Sequence, residues 1–400
     1  MKILILNKKI LEPDKSAGCK RLFNLIEILS DQHEIFYFPK LVYLEQIQYR
    51  QNLEGLGVRV LTDNFFHFVT ILKKHSFDLI LFEFYSVAHQ YLDLVSYYQK
   101  NGILVTDSVD VHFNRTQNEM ANKLITESYF KKEKKRELSV YKKSNVTIVV
   151  SKEDGSILES HGVNHVSIIS IIVPSATRKL IENEKKSIIF VGGFIHRPNV
   201  KAIEWFLGNV WDKIKSQNKN IVFNIVGSNL PDRLVKQIDS LKDVNYLGFI
   251  ANLNEEYDKS ILAIAPLTYG GGVKGKVCEA MAHGIPLVTT TVGVEGIQAI
   301  NGKDCFIADN VDEFAQRVLQ LADDTELQVL FTKNSQILAD KTCGMENAKS
   351  QVGKLLINLD EIKVEKPSRS YMSKIIKANY QLAKNSMVHL SKKIRKKSSI

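Results

Sequence analysis

The chain has 400 residues, of which 44% are hydrophobic, and its formal net charge is +10. This length and composition suit two or three domains with buried cores and exclude a globally disordered protein. Its four cysteines lie far apart without a Cys-x-x-Cys pair, which argues against a disulfide framework and a zinc site, and no window reaches the roughly 20 apolar residues of a membrane span.

The first half of the chain alternates short apolar runs with longer amphipathic ones. The apolar runs are KILIL, HEIFYF, FDLILFEF, GILVTD, NVTIVV and VSIISIIV. Continuous Val, Ile and Leu indicate strands that are buried on both faces of a parallel sheet. The first run is too short for a signal peptide, and the cysteine usage suits a reducing cytosol. We therefore predict a doubly wound α/β domain over residues 1–180.

The pattern weakens in a polar stretch and then begins again. Residues 175–187, SATRKLIENEKKS, are predicted to be an interdomain linker. A second series of strands and helices follows and closes with three predicted helices, which indicates a second doubly wound domain over residues 187–363. Two such domains are expected to face each other across a cleft, with ligands at the carboxyl ends of the strands.

A glycine-rich loop joins a strand and a helix of this second domain. The run ILAIAPL predicts a strand that ends near Pro266, and a helix is predicted from about residue 273 to residue 283. Between them stand Gly270, Gly271 and Gly272, and glycines allow both positive φ and close approach to a ligand. The helix is predicted to bury Val277, Ala280 and Met281 and to end at Gly284.

Charged residues flank the start of this helix. A glycine turn that opens a helix directs free backbone N–H groups and the positive end of the helix dipole at an anion. Lys274 and Lys276 add positive charge there, and Glu279, one turn later, could accept two ribose hydroxyls. The alternative is a tight turn with solvated lysines and a glutamate on the helix surface.

Two further segments hold candidate residues after predicted strands. Gly18 lies at the start of the first helix, where it either admits a phosphate or an acceptor or forms an ordinary turn, and Arg21 either reaches the ligand or lies on the helix surface. His112 follows the strand GILVTD and could bind a sugar or carry a proton, or it could have only a local partner. Arg115 could contact an acceptor or pair locally, and Asp110 could orient His112.

The segment APLTYGGGVKGKVCEAMAHGIPLVTTTVGVEGI closely resembles the donor-binding segment of family 4 glycosyltransferases, which have the GT-B fold. The segments FVGGFIHRPNVKAIEWF, FNIVGSN, VNYLGFI and ILAIAPL are similar to those of the family, in the same order. In the first half, PDKSAGCKRLFNLIEILS, TDSVDVHFNR and TIVVSKED are similar to further family segments. The resemblance therefore extends over most of the chain.

The resemblance implies a GT-B fold of two Rossmann-like domains and a retaining transferase. Such an enzyme moves a sugar from a nucleotide diphosphate sugar to a glycan or lipid-linked acceptor, here in cell-surface polysaccharide synthesis, without a metal or other cofactor. The scarcity of aromatic residues among the basic residues 366–400 argues against nucleic acid as a partner. His112 and Lys276 are the implied catalytic residues. The implied donor-binding residues are Gly18, Gly193, Gly270, Gly271, Gly272, Lys274, Glu279 and Glu295, and Arg21 and Arg115 are implied on the acceptor side.

Several positions depart from the family pattern. Gly271 stands where many members have a second glutamate, which is a trait of the subgroup with a GxGxKxK loop. Thr268, Gly193 and Pro198 stand where members have phosphate-binding cations. The diphosphate charge would then fall on Lys274, Lys276 and backbone amides, with Arg197 as a further candidate. These losses leave two alternatives open, a non-catalytic partner subunit and a nucleotide-sugar epimerase of the same fold.

The positive charge of the chain is concentrated at its end. Residues 366–400 contain ten Lys or Arg and no Asp or Glu, so the preceding residues sum to zero. Within a predicted helical tail over residues 364–400, apolar residues recur at helical spacing. Such a helix suits an anionic membrane surface at the inner face of the membrane, or it packs on the body of the protein with a solvated end.

Overall fold

The computed structural model describes residues 1–121, 125–179, 181, 184–359 and 361–362. Its contacts divide the chain into two compact units. Among the described residues, the first unit contains Met1–Glu12, Leu22–Ile169 and those from 352 to 362, and the second contains Pro13–Arg21 and Ser170–Gln351. The predicted tail, residues 364–400, lies outside the described residues.

Long-range hydrogen bonds explain why the second unit recruits a segment near the N-terminus. The Arg21 Nε donates to the Ser170 carbonyl at 3.0 Å, and the Ser170 backbone N–H donates to Gln351 Oε1 at 2.9 Å. Three stretches that are distant in sequence are thereby tied together. The predicted domain boundary between residues 180 and 187 is inferred from local periodicity, which carries no information about hydrogen bonds between distant segments.

The described part of the first unit has a sheet of seven parallel strands. They are β1 (Lys2–Lys9), β2 (Glu34–Leu41), β3 (Arg59–Val60), β4 (Leu79–Glu83), β5 (Ile103–Asp107), β6 (Val146–Val149) and β7 (Val166–Ile168). Their order is β3-β2-β1-β4-β5-β6-β7. Ile5 of β1 lies opposite Tyr37 of β2 and Leu81 of β4, and all three side chains are buried. The apolar runs therefore form the centre of the sheet, as predicted.

Helices connect these strands. They are α1 (Ala17–Ser30), α2 (Ile47–Gly55), α3 (Phe65–Lys74), α4 (Tyr85–Tyr98), α5 (His112–Ala121), α6 (Glu127–Tyr141) and α7 (Lys152–Ser160). The Ser16 side chain accepts the backbone N–H of Cys19 at 3.1 Å and so caps α1. The first residues of α1 belong to the second unit and the remainder to the first.

The described part of the second unit has a sheet of six parallel strands. They are β8 (Lys186–Val191), β9 (Ile221–Val226), β10 (Val244–Gly248), β11 (Ser260–Ala265), β12 (Leu287–Thr289) and β13 (Phe306–Ile307). Their order is β10-β9-β8-β11-β12-β13. The direction of winding reverses between β8 and β11, and open α/β sheets bind their ligands at such a reversal.

The helices of the second unit cover this sheet. They are α8 (Arg197–Trp205), α9 (Trp211–Gln217), α10 (Asp232–Asp239), α11 (Asn254–Asp258), α12 (Gly275–His283), α13 (Val311–Asp323), α14 (Thr325–Cys343) and α15 (Met345–Leu359). A π-helical turn at Phe206–Val210 joins α8 to α9. Phe206 is fully buried, with its ring centroid 4.8 Å from that of Phe223. Truncation of such a core phenylalanine to alanine costs about 3–5 kcal/mol.

The sequence predictions match the structure around the glycine-rich loop. β11 ends at Ala265, before Pro266, and α12 ends at Gly284, which has φ +76°. The residues predicted to face the core, Val277, Ala280 and Met281, are all buried. Among the described residues, no helix combines the length and apolarity needed to cross a membrane.

Two predicted segments differ from the structure. The run VSIISIIV forms only the short β7, because the backbone N–H groups that follow bond elsewhere, Val173 to the Cys343 carbonyl at 2.7 Å. The predicted linker is tied to the second unit, since Ala176 donates to the Ala282 carbonyl at 3.2 Å and the Arg178 guanidinium donates to the Ser260 carbonyl. Residues 180, 182 and 183 of this segment lie outside the described residues.

Candidate functional site

The candidate site lies at the carboxyl ends of β8 and β11 in the second unit. The two strands are hydrogen-bonded neighbours at the reversal of the sheet. The loop after β8 carries Gly193, and the loop after β11 carries the three glycines and Lys274. The sheet topology therefore brings together two loops that are about 80 residues apart in the sequence, in the way expected for parallel α/β sheets.

Asn199 fixes the first of these loops. Its side chain is buried, its Nδ2 donates to the Gly193 carbonyl at 2.7 Å, and its Oδ1 accepts from the Lys276 ammonium. A Cβ on Gly192 would lie 2.8 Å from Asn199 Nδ2 and 2.9 Å from Lys276 Nζ, so a larger residue here would displace these two polar groups. The space above Gly193 is open to 4 Å, which leaves its backbone accessible to a ligand.

Lys276 is held beneath this loop. Its Nζ lies 4.6 Å from the centroid of the buried Phe190 ring, within the range of a cation–π contact. Burial, and next the charge of Lys274, lower the pKa of Lys276 to about 7, while the charge of Glu279 acts in the opposite direction. An anion bound beside this ammonium would favour its charged form.

The glycine-rich loop has a left-handed backbone. Gly270 has φ +149° and Gly272 has φ +67°, conformations that favour glycine. The Lys274 ammonium donates to the Gly272 carbonyl and to Glu295 Oε2, the latter at 3.0 Å. The chain folds back on this loop through Thr290, whose Oγ1 donates to the Leu267 carbonyl at 2.6 Å. Glu295 is therefore the carboxylate partner of Lys274.

Glu279 faces the first turn of α1. Its Oε1 accepts from the Lys20 ammonium at 2.8 Å, and its side chain is 18% exposed. The starts of α1 and α12 are close, since a Cβ on Gly275 would lie 2.6 Å from the Ala17 Cβ. Gly18 follows Ala17 and so lies at this junction, within the second unit.

Arg21 lies in the interior of the second unit, whereas the sequence left open a ligand contact or a position on the helix surface. Its side chain is fully buried, and its Nε donates to the Ser170 carbonyl. In this position the guanidinium stabilises the second unit internally and is not on a surface that an acceptor could contact.

His112 and Arg115 lie in the first unit, after β5. His112 is the first residue of α5, and its ring centroid is 5.5 Å from that of Tyr85. Arg115 forms an ion pair with Asp110, so the local pairing considered for it is present. Glu137 accepts the backbone N–H groups of His112 and Phe113, both at 2.8 Å. A buried carboxylate thus caps the helix that carries His112.

The backbone at this edge of the first sheet is strained. Phe84, after β4, has φ +66°, and Val109, after β5, has φ +52°. A β-branched residue in the left-handed region is an outlier, and such strain occurs preferentially at functional sites. The loop that leads to His112 therefore has a feature of a functional segment beyond its sequence pattern.

All eight predicted donor-binding residues belong to the second unit, as does Lys276, which is predicted to be catalytic. The eight are Gly18, Gly193, Gly270, Gly271, Gly272, Lys274, Glu279 and Glu295. Sequence reasoning did not assign Lys20, Asn199 or Glu137 to a site. Lys20 could have been noticed as a cation in the segment SAGCKR. The roles of Asn199 and Glu137 depend on contacts with residues 24 to 77 positions away, apart from the bond of Asn199 to Gly193.

Comparisons with known proteins concern the family and the fold. A sequence model of the family described as glycosyl transferases group 1 matches residues 185–324. A Klebsiella pneumoniae protein described as an uncharacterized 44.6 kDa protein in the cps region is 28% identical over 169 residues. That match covers 40% of this chain and 43% of the relative, so it spans less than half of either protein.

Two solved structures share the fold over nearly the whole chain. HepE from Anabaena, in complex with UDP-glucose, has a TM-score of 0.68 at 16% identity and covers 90% of this chain and 100% of its own. Sucrose-phosphate synthase from Thermosynechococcus elongatus has a TM-score of 0.67 at 14% identity and covers 90% and 99%. The predicted two-domain GT-B fold is confirmed, and the family resemblance inferred from the sequence is confirmed with it.

Proposed function

We propose that the protein is a retaining glycosyltransferase that uses a nucleotide diphosphate sugar as its donor. The observation that carries this proposal is the start of α12, where a left-handed glycine loop, Lys274, Lys276 and Glu279 meet. The group 1 family match over this segment and the UDP-glucose bound by HepE support it. The donor sugar and base are left to experiment.

The diphosphate would bind at the N-terminus of α12. The Val277 backbone N–H donates to the Lys274 carbonyl at 2.9 Å, so the N–H groups of Gly275 and Lys276 would meet the anion, which the helix dipole favours there. Lys276 would stabilise the negative charge that develops on the leaving diphosphate, because its ammonium is already fixed by Asn199. This arrangement would act without a metal ion.

Glu279 would bind the ribose of the nucleotide. A carboxylate has two oxygens and can accept both hydroxyls of a vicinal diol. Glu279 lies one turn into α12 from Gly275, so a ribose there would be adjacent to a diphosphate at the helix start.

His112 and Arg115 would act on the side of the transferred sugar and the acceptor. His112 would hydrogen-bond the sugar, with its backbone fixed by Glu137. The resemblance implies that the leaving phosphate oxygen takes the acceptor proton, with attack on the face from which the diphosphate departs. No general base is then required.

The acceptor is proposed to be a glycan or a lipid-linked saccharide in cell-surface polysaccharide synthesis. The description of the Klebsiella relative as a protein of a cps region supports this context. The proposed location is the cytosol or the inner face of the membrane, where the basic residues 366–400 would meet anionic lipid.

Thermal stabilisation by a panel of nucleotide diphosphate sugars tests the function. A ligand that binds only the folded protein raises its melting temperature by mass action. We expect one donor to stabilise the wild type and Glu279→Gln to lose most of that shift. Incubation of that donor with candidate acceptors should then yield a product with a retained anomeric configuration.

Two other outcomes identify the alternatives. An epimer formed from the donor alone would indicate a nucleotide-sugar epimerase. If no donor shifts the melting temperature and a second protein copurifies with the chain, the non-catalytic partner subunit is favoured.

A further inference from the structure

We infer that Lys20 is a diphosphate ligand that holds Glu279 while the site is free and moves to the diphosphate when the ribose takes over Glu279. This inference rests on the function proposed above and adds a residue to its donor site. It would supply a cation from the first turn of α1, a segment that packs with the second unit.

The first step of the argument is the occupancy of Glu279. The Lys20 ammonium lies 2.8 Å from Glu279 Oε1. A ribose diol that uses both carboxylate oxygens would have to displace this ammonium from that oxygen. Because the Glu279 side chain is only 18% exposed, a carboxylate without any partner there would be costly. The ion pair therefore stabilises the free site, and the ribose hydroxyls would replace it.

The second step is the partial loss of positive charge on the two lysines near the diphosphate position. The Lys274 ammonium is paired with the Glu295 carboxylate, and burial lowers the pKa of Lys276 to about 7, so Lys276 is only partly charged at neutral pH. Thr268, Gly193 and Pro198 provide no charge. Displacement of Lys20 from Glu279 would release a positive charge at the moment when the diphosphate arrives.

The third step is reach. The start of α1 lies against the start of α12, as the closeness of Ala17 to Gly275 shows. Glu279 is four residues beyond Gly275, which is about 6 Å along a helix at 1.5 Å per residue. The Lys20 side chain is 38% exposed, against 10% for Lys274. A partly exposed lysine with a flexible stem can cover that distance by changing rotamers.

Affinity measurements on Lys20 variants test the inference. Isothermal titration calorimetry of the wild type with UDP, GDP and ADP selects the tightest of the three as the probe. Lys20→Ala and Lys20→Met should bind it about tenfold or more weakly, the loss expected for a charge-assisted hydrogen bond. The matched control is Lys219→Ala, which removes an exposed lysine of the same unit and should leave the affinity unchanged.

The Lys20→Ala substitution in a Glu279→Gln background separates two roles of Lys20, the binding of phosphate and the positioning of Glu279. With the ion pair removed in advance, Lys20→Ala should still weaken binding of the probe by a similar factor. Tighter or unchanged binding by Lys20→Ala in either background would show that Lys20 only occupies Glu279, and would overturn the inference.

Melting temperatures of the variants without nucleotide show whether either substitution causes a folding defect. Lys20→Met is included because it keeps the apolar part of the side chain and removes only the charge. If the wild type binds none of the three nucleotides, the proposed function fails together with the inference. If the wild type binds and only the Lys20 effect is absent, the function stands and the inference alone is overturned.

Discussion

At the scale of single residues, Lys276 and Asn199 define the chemistry of the second unit's site. The Lys276 ammonium is enclosed by Asn199, the Phe190 ring and the backbone at Gly192. A lysine in this setting loses its proton more readily than one in water, because burial disfavours the charged form. Its charge, and with it the affinity for an anion, should therefore depend on pH near neutrality.

We predict that donor affinity falls as the pH rises above 7. Burial lowers the pKa of Lys276 to about 7, and a bound diphosphate would raise that pKa. Binding then takes up a proton above pH 7, and the association constant should fall by a factor approaching about ten per pH unit. Calorimetry from pH 6 to pH 9 with a nucleotide sugar measures this, since its doubly esterified diphosphate does not titrate in that range.

The Lys276→Met variant serves as the control for that titration. It keeps the length of the side chain without the titrating group, so its affinity should be low and independent of pH. A wild-type affinity that is constant over the same range would contradict the role of Lys276.

Asn199→Ala should weaken both binding and stability. The change removes the acceptor of the Lys276 ammonium and the donor to the Gly193 carbonyl, and an unsatisfied buried group costs about 1–3 kcal/mol. Asn199→Asp also removes the donor to the Gly193 carbonyl, and its carboxylate would pair with Lys276 and repel the diphosphate. Thermal unfolding should show both variants destabilised, and calorimetry should show weak donor binding by Asn199→Asp, so strong binding by it would refute the assignment.

At the scale of secondary-structure elements, the two candidate regions depend on how helices begin. α12 begins after glycines with positive φ, and no side-chain cap accepts from its first N–H groups. α5 begins with its first N–H groups bonded to Glu137, which is contributed by α6. One helix start is therefore available to an anion, whereas the other is satisfied by a carboxylate of the protein.

We predict that Glu137 both stabilises α5 and makes the stability dependent on pH. Burial raises the pKa of Glu137 to about 7, against the opposing hydrogen bonds from Tyr141 and His112. The folded state then holds a proton that the unfolded state releases near pH 4.5, so this group's contribution to stability declines as the pH rises from there to about 7. Unfolding free energies should show this decline in the wild type relative to Glu137→Gln.

Glu137→Ala is expected to be more damaging than Glu137→Gln. Alanine leaves the N–H groups of His112 and Phe113 without their acceptor, at a cost of about 1–3 kcal/mol for each buried group left unsatisfied. Transferase activity should fall with it, because the backbone position of His112 would be released. Equal stability and activity of the two variants would argue against a capping role.

At the scale of the whole molecule, each unit has its own parallel sheet, and the candidate residues lie at the carboxyl edges of both. The glycine loop follows β11 in the second unit, and His112 follows β5 in the first. In the proposed mechanism, charged groups of the protein stabilise the leaving diphosphate, a role that a divalent cation could otherwise fill.

We therefore predict that transferase activity is insensitive to chelation. With a donor and acceptor in hand, the initial rate in excess EDTA should equal the rate in Mg²⁺. A rate that disappears with EDTA and returns with a divalent cation would contradict the assignment of the leaving-group charge to Lys276 and the start of α12.

The basic residues 366–400, which lie outside the described residues, give a further prediction for the full chain. They carry a charge of +10, while the rest of the chain is neutral. The protein should sediment with phosphatidylserine-containing vesicles but not with phosphatidylcholine vesicles, and high salt should release it. Equal binding to both vesicle types would refute an electrostatic role for this segment.

The sequence by itself determined the class of fold and the position of the glycine loop. Continuous apolar runs predict buried parallel strands, and glycines with Gly284 mark the limits of α12, because local backbone sterics and burial act over a few residues. The identities of Lys274, Lys276 and Glu279 as a charged group at that helix start could likewise be read from their spacing.

The tertiary structure alone decided which distant residues meet. Lys20 contacts Glu279 across 259 positions, and Asn199 contacts Lys276 across 77. The short β7 and the burial of Arg21 also follow from bonds to remote partners, Val173 to Cys343 and Arg21 to Ser170. Periodicity and propensity describe neighbours along the chain. These contacts depend instead on which strands lie side by side in each sheet, and only the folded structure specifies that arrangement.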